Sequence, residues 1–313
     1  MSESVIVPAE LAGERTDRVV AVLLGVSRRV ARSAVDDGGV KRGGRKLSAS
    51  ERLTEGDVIE VLLSIDELPV VPDDTVEFGI AYEDDVVVVV DKPAGVVVHP
   101  GAGRPGGTLA NGLLARIPDL AQLGEERRWG IVHRIDRDTS GLLLIAKTPD
   151  SFDELQAALK ERTITRQYRT LVAGRFTNAT GTIDAPVARD PAHPTRMTVI
   201  VHGRTARTHY RRIADWEDHE VSLLTVRLET GRTHQIRVHM RAIDHPVVGD
   251  PVYGPGKATA GDPGRTWLHA MSLTFDHPSG SGAVTVHAEL PADLADSLRS
   301  LGEPDSGAIP RSA

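Results

Sequence analysis

Gly130-Ile131-Val132-His133-Arg134-Ile135-Asp136-Arg137-Asp138-Thr139-Ser140-Gly141-Leu142-Leu143-Leu144-Ile145-Ala146-Lys147 is the densest stretch of this 313-residue chain. Gly130–Ile135 and Leu142–Ala146 read as apolar strands, with His133, Arg134, Asp136, Arg137, Asp138, Thr139 and Ser140 gathered around the turn between them. Polar groups between two core strands are costly unless they pair or face a cleft. The plainer alternative is a polar hairpin tip.

Outward from this unit, Val86–Asp91, Arg166–Val172, Arg207–Ile213, Val221–Leu228, Trp267–Phe275 and Val284–Ala288 read as further strands. Lys92-Pro93-Ala94-Gly95 reads as a turn. Helices are expected over Thr108–Arg116 and over Ser151–Glu161, the latter capped by Ser151 with Phe152, Leu155 and Leu159 along one side. A last helix is expected over Pro291–Leu301, with Gly302 just past its end. Strands outnumber helices and many are short, so the fold class is α+β with a mixed sheet rather than a doubly wound one.

The N-terminal part differs in composition. Thr16–Leu24 reads as a helix with Val19, Val20, Leu23 and Leu24 on one face, and Arg28–Asp37 as a second, capped by Ser27 and stopped by Gly38-Gly39. Short strands Val40–Arg42 and Val58–Leu63 follow. Arg28, Arg29, Arg32, Lys41, Arg42, Arg45 and Lys46 make this module basic, whereas no Lys or Arg falls between Leu53 and Asp91. The expected organisation is a segment 1–14, a small module 15–64, a linker 65–75, a large domain 76–299 and a loose tail 300–313.

Composition excludes several functions. There is no cysteine, so disulfides, thiol nucleophiles and Cys-based metal or iron–sulfur sites are ruled out, and a cytoplasmic address is expected. No apolar run is long enough to span a bilayer, so no membrane partner is expected. The net charge of −7 argues against non-specific coating of nucleic acid, although 31 of the 37 basic residues are arginine and are unevenly placed.

A second dense stretch is Thr230-Gly231-Arg232-Thr233-His234-Gln235-Ile236-Arg237-Val238-His239-Met240. Its arginines suit phosphates and carboxylates, which they can bind bidentately. His234 and His239 are five residues apart with no zincin-like carboxylate, so no metal is expected. Asp136-Arg137-Asp138 fits an aspartyl-phosphate phosphatase poorly, because His133-Arg134 interrupts the preceding strand. Asp138-Thr139-Ser140-Gly141 fits an aspartic protease no better, since Asp305-Ser306-Gly307 lacks flanking core strands.

His133-Arg134-Ile135-Asp136-x-x-Thr139-Ser140-Gly141 resembles the signature loop of the RluA-type pseudouridine synthases. Asp91-Lys92-Pro93-Ala94-Gly95, Gln167-Tyr168-Arg169-Thr170-Leu171-Val172 and Gly231–His239 followed by His245-Pro246 and Gly249-Asp250 resemble the family's other motifs, in the family's order. Residues 15–62 resemble an S4 RNA-binding domain, a pairing similar to the RluD-like branch that modifies large-subunit ribosomal RNA. Ile135 and Arg137 replace the usual Leu and Lys, Asp91 a common Asn, and Thr16 the usual S4 leucine.

The resemblance implies uridine isomerisation in RNA, most directly large-subunit ribosomal RNA, with no cofactor. It assigns catalysis to Asp136, which attacks covalently or removes a ribose proton, to Tyr168 stacked on the uracil, and to Arg237 as the carboxylate's partner. Thr139 and Ile236 are expected to line the substrate pocket. Arg134 is expected to enter the space left by a flipped base, and Arg28, Arg29, Arg32, Lys41, Arg232, His234 and Gln235 to contact RNA. A monomer is expected. The competing class is a non-catalytic S4-type RNA-binding or ribosome-assembly factor, against which the intact Asp136, Tyr168 and Arg237 argue.

Overall fold

The computed structural model describes residues 2–24, 28–62, 70–100, 106–124, 127–193, 195–256 and 259–309, without the side chains of Ser2, Glu3 and Arg29. The expected cap Ser27 and residues 65–69 of the expected linker lie outside these residues. The chain divides into two compact units, residues 1–76 with 99–118, and residues 77–98 with 119–313.

In the first unit, β1 (Ser2–Ile6), α1 (Thr16–Leu24), α2 (Arg28–Asp36), β2 (Val40–Arg42), β3 (Arg45–Lys46) and β4 (Val58–Leu62) precede a later helix, Leu109–Arg116. The four strands form one antiparallel sheet in the order β1-β4-β2-β3. Segment 1–14 is therefore not separate from the basic module: β1 pairs along the whole of β4, and Val7 is fully buried. Val19 and Val20 of α1 bury against Ala31, Ala34, Val40, Ile59 and Val61, with Leu23 and Leu24 partly buried at the margin.

The second unit is built on a ten-stranded sheet. Its elements are β5 (Gly79–Glu83), β6 (Val87–Lys92), then, after helix α3 (Leu109–Arg116) of the first unit, β7 (Ser140–Ala146), α4 (Pro149–Glu161), β8 (Thr165–Ala173) and β9 (Thr180–Asp184). A small hairpin of β10 (Val187–Arg189) and β11 (Met197–Val199) precedes β12 (Arg207–Trp216), β13 (Val221–Leu228) and α5 (Gln235–Ala242). The chain closes with β14 (Leu268–Asp276), β15 (Ala283–His287), α6 (Ala292–Ser300) and β16 (Ser306–Gly307). The main strand order is β16-β12-β13-β8-β14-β7-β6-β5, with β15 beside β14 and β9 beside β12. Every pairing is antiparallel except β7 with β14, so the α+β class with a mixed, mainly antiparallel sheet stands.

The central strands β6 and β7 are buried on both faces, as their unbroken Val and Leu runs require. Phe152 and Leu155 of α4 pack on Val89, Leu142 and Leu144, each burial contributing about 2 kcal/mol. The helix begins at Pro149 with Thr148 as its cap, not at Ser151: the Thr148 side chain accepts from the Ser151 amide at 3.2 Å while the Ser151 hydroxyl accepts from the Thr148 amide. The sequence places a hydroxyl at both positions, and only Thr148 has the extended backbone of a cap.

Gly130–Ile135 is not a strand. Only Ile131 forms a bridge, to Ile145, because the His133 ring occupies the edge and accepts the Leu144 amide at 3.3 Å. The described part of the tail is not loose. Buried Asp215 accepts from Ser222 at 2.6 Å and Ser306 at 2.9 Å, and β16 pairs with β12. No helix among the described residues is long and apolar enough to cross a membrane.

Asp84 fixes the β5–β6 turn. It accepts from the Val86 and Val87 amides at 2.9 Å and from the Tyr82 hydroxyl at 2.7 Å, and it pairs with His277 at 2.7 Å. Burial works to raise this carboxyl, but those bonds hold it at about 2. A carboxyl held below its unfolded value stabilises the fold above the unfolded pKa, and that contribution vanishes as pH falls through the folded one. Asp84→Asn is expected to destabilise the protein by about 2 kcal/mol at pH 6, with the difference from wild type closing between about pH 4 and pH 2 in urea titrations.

Candidate active site

The stretch Val132–Asp138 runs across the end of the sheet and is clamped from several sides. The fully buried Lys92 donates through Nζ to Pro93 O at 2.7 Å, and to Val96 O and Arg137 O at 2.9 Å. The Gly95 amide also reaches Arg137 O at 2.9 Å, and Arg265 Nη1 donates to Asp138 O at 3.0 Å. Gln156 of α4 donates to Val132 O at 2.7 Å. Gly141 follows at φ +107°, where a Cβ would stand 2.3 Å from Ala270 O, so the turn into β7 admits only glycine.

These contacts present Asp136, 19% exposed by its side chain, to Arg237 on the first turn of α5. Arg237 Nη1 donates to Asp136 Oδ2 at 3.1 Å. Its other face makes a fork on Asp250, Nε to Oδ2 at 2.6 Å and Nη2 to Oδ1 at 2.9 Å. Asp250, its side chain fully buried, also accepts the Val252 and Tyr253 amides at 2.8 and 3.0 Å. Burial presses Arg237 toward neutrality, but its bonds to Asp250 and the charge of Asp136 raise its pKa further. Burial also presses Asp250 upward, and the Arg237 fork leaves it below its ordinary range. The Tyr253 ring lies 5.1 Å from the guanidinium, and its hydroxyl is 2.9 Å from His234 Nδ1.

A cleft opens at Asp136. Ile135, Thr139, Tyr168, Leu228, Ile236 and Leu268 wall it, and Arg134, Arg166, Arg232 and His234 are among its polar lining. Tyr168 is buried on β8, and burial raises its phenol. Thr139 Oγ1 is buried with no hydrogen-bond partner. Apolar walls, an aromatic ring and one carboxylate suit a flat heterocycle carrying a sugar. Among the described residues, no three His, Cys, Asp or Glu converge as metal ligands.

The sequence profile of the RNA pseudouridylate synthase family matches residues 86–242, and that of the S4 domain matches residues 14–59. An uncharacterized RNA pseudouridine synthase of Chloroflexus aurantiacus is 45% identical, over 95% of this chain and 93% of its own. The chain belongs to the RNA pseudouridine synthase family. The ribosomal large subunit pseudouridine synthase D of Nitrosomonas europaea is 40% identical, over 94% of this chain and 86% of its own. A human structure, RNA pseudouridylate synthase domain containing 1, shares the fold at a TM-score of 0.55 and 25% identity, covering 75% of this chain and 99% of that one. The synthase is thus an isomerase with RNA as its substrate, rather than a non-catalytic binding factor.

Of the expected RNA contacts, Arg134 stands exposed at the mouth of the cleft with no ion-pair partner among the described residues. Arg232 is half-buried, with Nε on Thr205 O at 3.0 Å. His234 is half-buried, and burial lowers its pKa. Gln235 is a correction. It is buried, its Oε1 accepts from Thr230 at 2.8 Å and the Arg232 amide at 3.0 Å, and its Nε2 donates to Thr208 and Arg207 O. A side-chain amide saturated by the protein braces the loop and has nothing left for RNA.

In the S4 unit, Arg28 is 3.5 Å from Asp17 and Arg32 is 2.8 Å from Asp36, while Lys41 is half-buried on β2. The Arg29 side chain lies outside the described residues. Arg166, Asp250, Tyr253, Lys92 and Arg265 were not among the expected site residues, and only the Lys-Pro-Ala-Gly and Gly-Asp motifs carried a signal for Lys92 and Asp250. Asp250→Asn removes half of the charge that balances buried Arg237. It is expected to lower unfolding stability by about 3 kcal/mol in urea titrations at pH 7, whereas a variant as stable as wild type would mean that Asp136 alone holds Arg237.

Proposed function

We propose that this synthase converts uridines of large-subunit ribosomal RNA to pseudouridine, acting as a cytoplasmic monomer, with Asp136, Tyr168 and Arg237 as its catalytic set. The observation that carries the reading is the 3.1 Å contact between Arg237 and Asp136 at the base of a cleft walled by Tyr168 and Ile236. Relatives named ribosomal large subunit pseudouridine synthase D, 40–42% identical over most of the chain, support the choice of RNA.

The reaction breaks the N1–C1′ bond, turns the base and forms a C5–C1′ bond, so one well-placed carboxylate is required. Arg237 donates to Oδ2 of Asp136, a charge-assisted bond that holds the carboxylate in place at the cleft. Covalent capture and removal of a ribose proton both call on an oxygen of this side chain. Tyr168 stacks against the uracil and takes part in removing the C5 proton, while Ile236 and Thr139 bound the ring. A uridine in folded RNA must leave its stack, at a cost of a few kcal/mol. Arg134 at the mouth stands where the vacated space would be, and a planar guanidinium can stack there and reach phosphate together. Arg232 and His234 follow the backbone at the rim, and Arg28, Arg29, Arg32 and Lys41 hold neighbouring RNA through phosphates.

Tritium release from an unmodified large-subunit ribosomal RNA transcript labelled at uridine C5 tests the proposal. Asp136→Asn is expected to reduce release on the order of a thousandfold or more, with RNA affinity within about threefold of wild type because phosphate contacts dominate binding. Undiminished release by that variant would remove Asp136 from the reaction.

A further inference from the structure

Arg166 is the buried charged group of the cleft that has no partner among the described residues. It is 5% exposed, its Nε is enclosed with no acceptor, and no carboxylate pairs with it. Arg237, by contrast, is fully engaged by Asp136 and Asp250. Arg166 lies on β8 two residues before Tyr168, so strand alternation puts both side chains on the cleft face of the sheet. The guanidinium abuts the rim loop: a Cβ on Gly231 would stand 2.9 Å from Arg166 Nη1.

The neighbouring His133 offers it no acceptor. His133 Nε2 accepts the Leu144 amide, so Nδ1 carries the proton, and Nδ1 too is buried without a partner. Two donors cannot satisfy each other. A buried donor left unmet is costly, and more so when charged, so the folded chain holds a cation in wait for an acceptor from outside. Apolar Leu228, Ile236 and Leu268 shape that space for a ring. The phosphates of a flipped nucleotide stay with the RNA chain at the mouth, where Arg134 is exposed and Arg232 half-buried.

We infer that Arg166 donates to the carbonyl edge of the uracil and balances the negative charge that the base carries while it is detached from the sugar. This assignment rests on the proposal that the cleft isomerises uridine. When the N1–C1′ bond breaks, its electron pair stays with the base, and the charge spreads over N1 and the two carbonyl oxygens. C5 then bonds to C1′, the C5 proton leaves, and N1 takes up a proton, so the product has the atoms and charge of the substrate. The anion exists only between the two bonds, and a fixed cation facing it stabilises the transition state more than the bound substrate. The same cation bears on the hydroxyl of Tyr168, where it opposes the effect of burial.

Single-turnover reactions on large-subunit ribosomal RNA transcripts made with uridine or with 5-fluorouridine test this, with loss of the original nucleoside read by mass spectrometry. Arg166→Met is expected to slow consumption of uridine about 10²–10³-fold, with RNA dissociation constants within about threefold of wild type. Arg166→Lys is expected to recover at least about tenfold of that loss, since it keeps the charge. Fluorine withdraws electrons and makes the departing base a weaker base, so the defect of both variants is expected to be at least about tenfold smaller on the 5-fluorouridine transcript. Equal defects on the two transcripts would overturn the assignment, because a loosened pocket slows both alike. Weakened RNA binding with an unchanged rate would overturn it in favour of a phosphate contact. If Arg166→Met fails to fold, Arg166→Lys decides by the same comparison. Wild-type protein inert on both transcripts would overturn the parent proposal and this one with it, an outcome distinct from any change confined to the variants.

Discussion

A guanidinium shared between two carboxylates sets the geometry of the catalytic unit. Arg237 carries one positive charge into a buried site and meets Asp250 with a fork and Asp136 with its remaining nitrogen. Removing such groups from water is expensive, and only near-complete hydrogen bonding offsets it. Asp250 meets that condition with two further backbone amides, and Asp136 lies on a stretch whose carbonyls are held by Lys92 and Arg265. The two ends of the pair therefore come from different parts of the fold, β7's entrance and the start of α5, and neither is free to retreat. The carboxylate at the cleft is thus held by a partner with no freedom to leave.

Asp136, Tyr168 and Arg237 were legible because a motif marks each, and α5 follows β13, the strand that pairs with β8, after a short loop. Asp250 was visible only as part of a motif. Its function depends on a contact across thirteen residues and a turn, which no periodicity expresses. Arg166 gave no signal at all, because an arginine on an alternating strand reads as solvent-facing until the layer above it is known. Gly130–Ile135 read as a strand from its apolar residues, yet His133 diverts it by accepting a backbone amide of β7. Gln235 failed for the opposite reason. A polar residue among arginines looks like a ligand-binding group, and it proved to be the internal brace of the loop that displays them.

Net charge says less about RNA than pairing does. In the S4 unit, Arg42 meets Glu51 and Asp57, and Arg45 meets Glu51, so much of the basic count is balanced locally. Pairs at or near the surface contribute little to stability, so a phosphate can displace the acid. The excess of acids over bases thus does not prevent RNA binding, because the exchange is nearly neutral in energy and the released counterions favour it.

Three arginines around one cleft take different roles from environment alone. Arg237 is buried and paired, so its charge is committed to holding a carboxylate. Arg134 is exposed and unpaired among the described residues, where water screens its charge and its planar shape matters more. Arg166 is buried and unpaired, the costliest of the three states for the free protein. Stability alone would favour an apolar residue there, since replacing such a group with one of similar size relieves the unmet donors. A cation kept in that position is explained by a charge that forms on the bound base and exists only while a bond is broken.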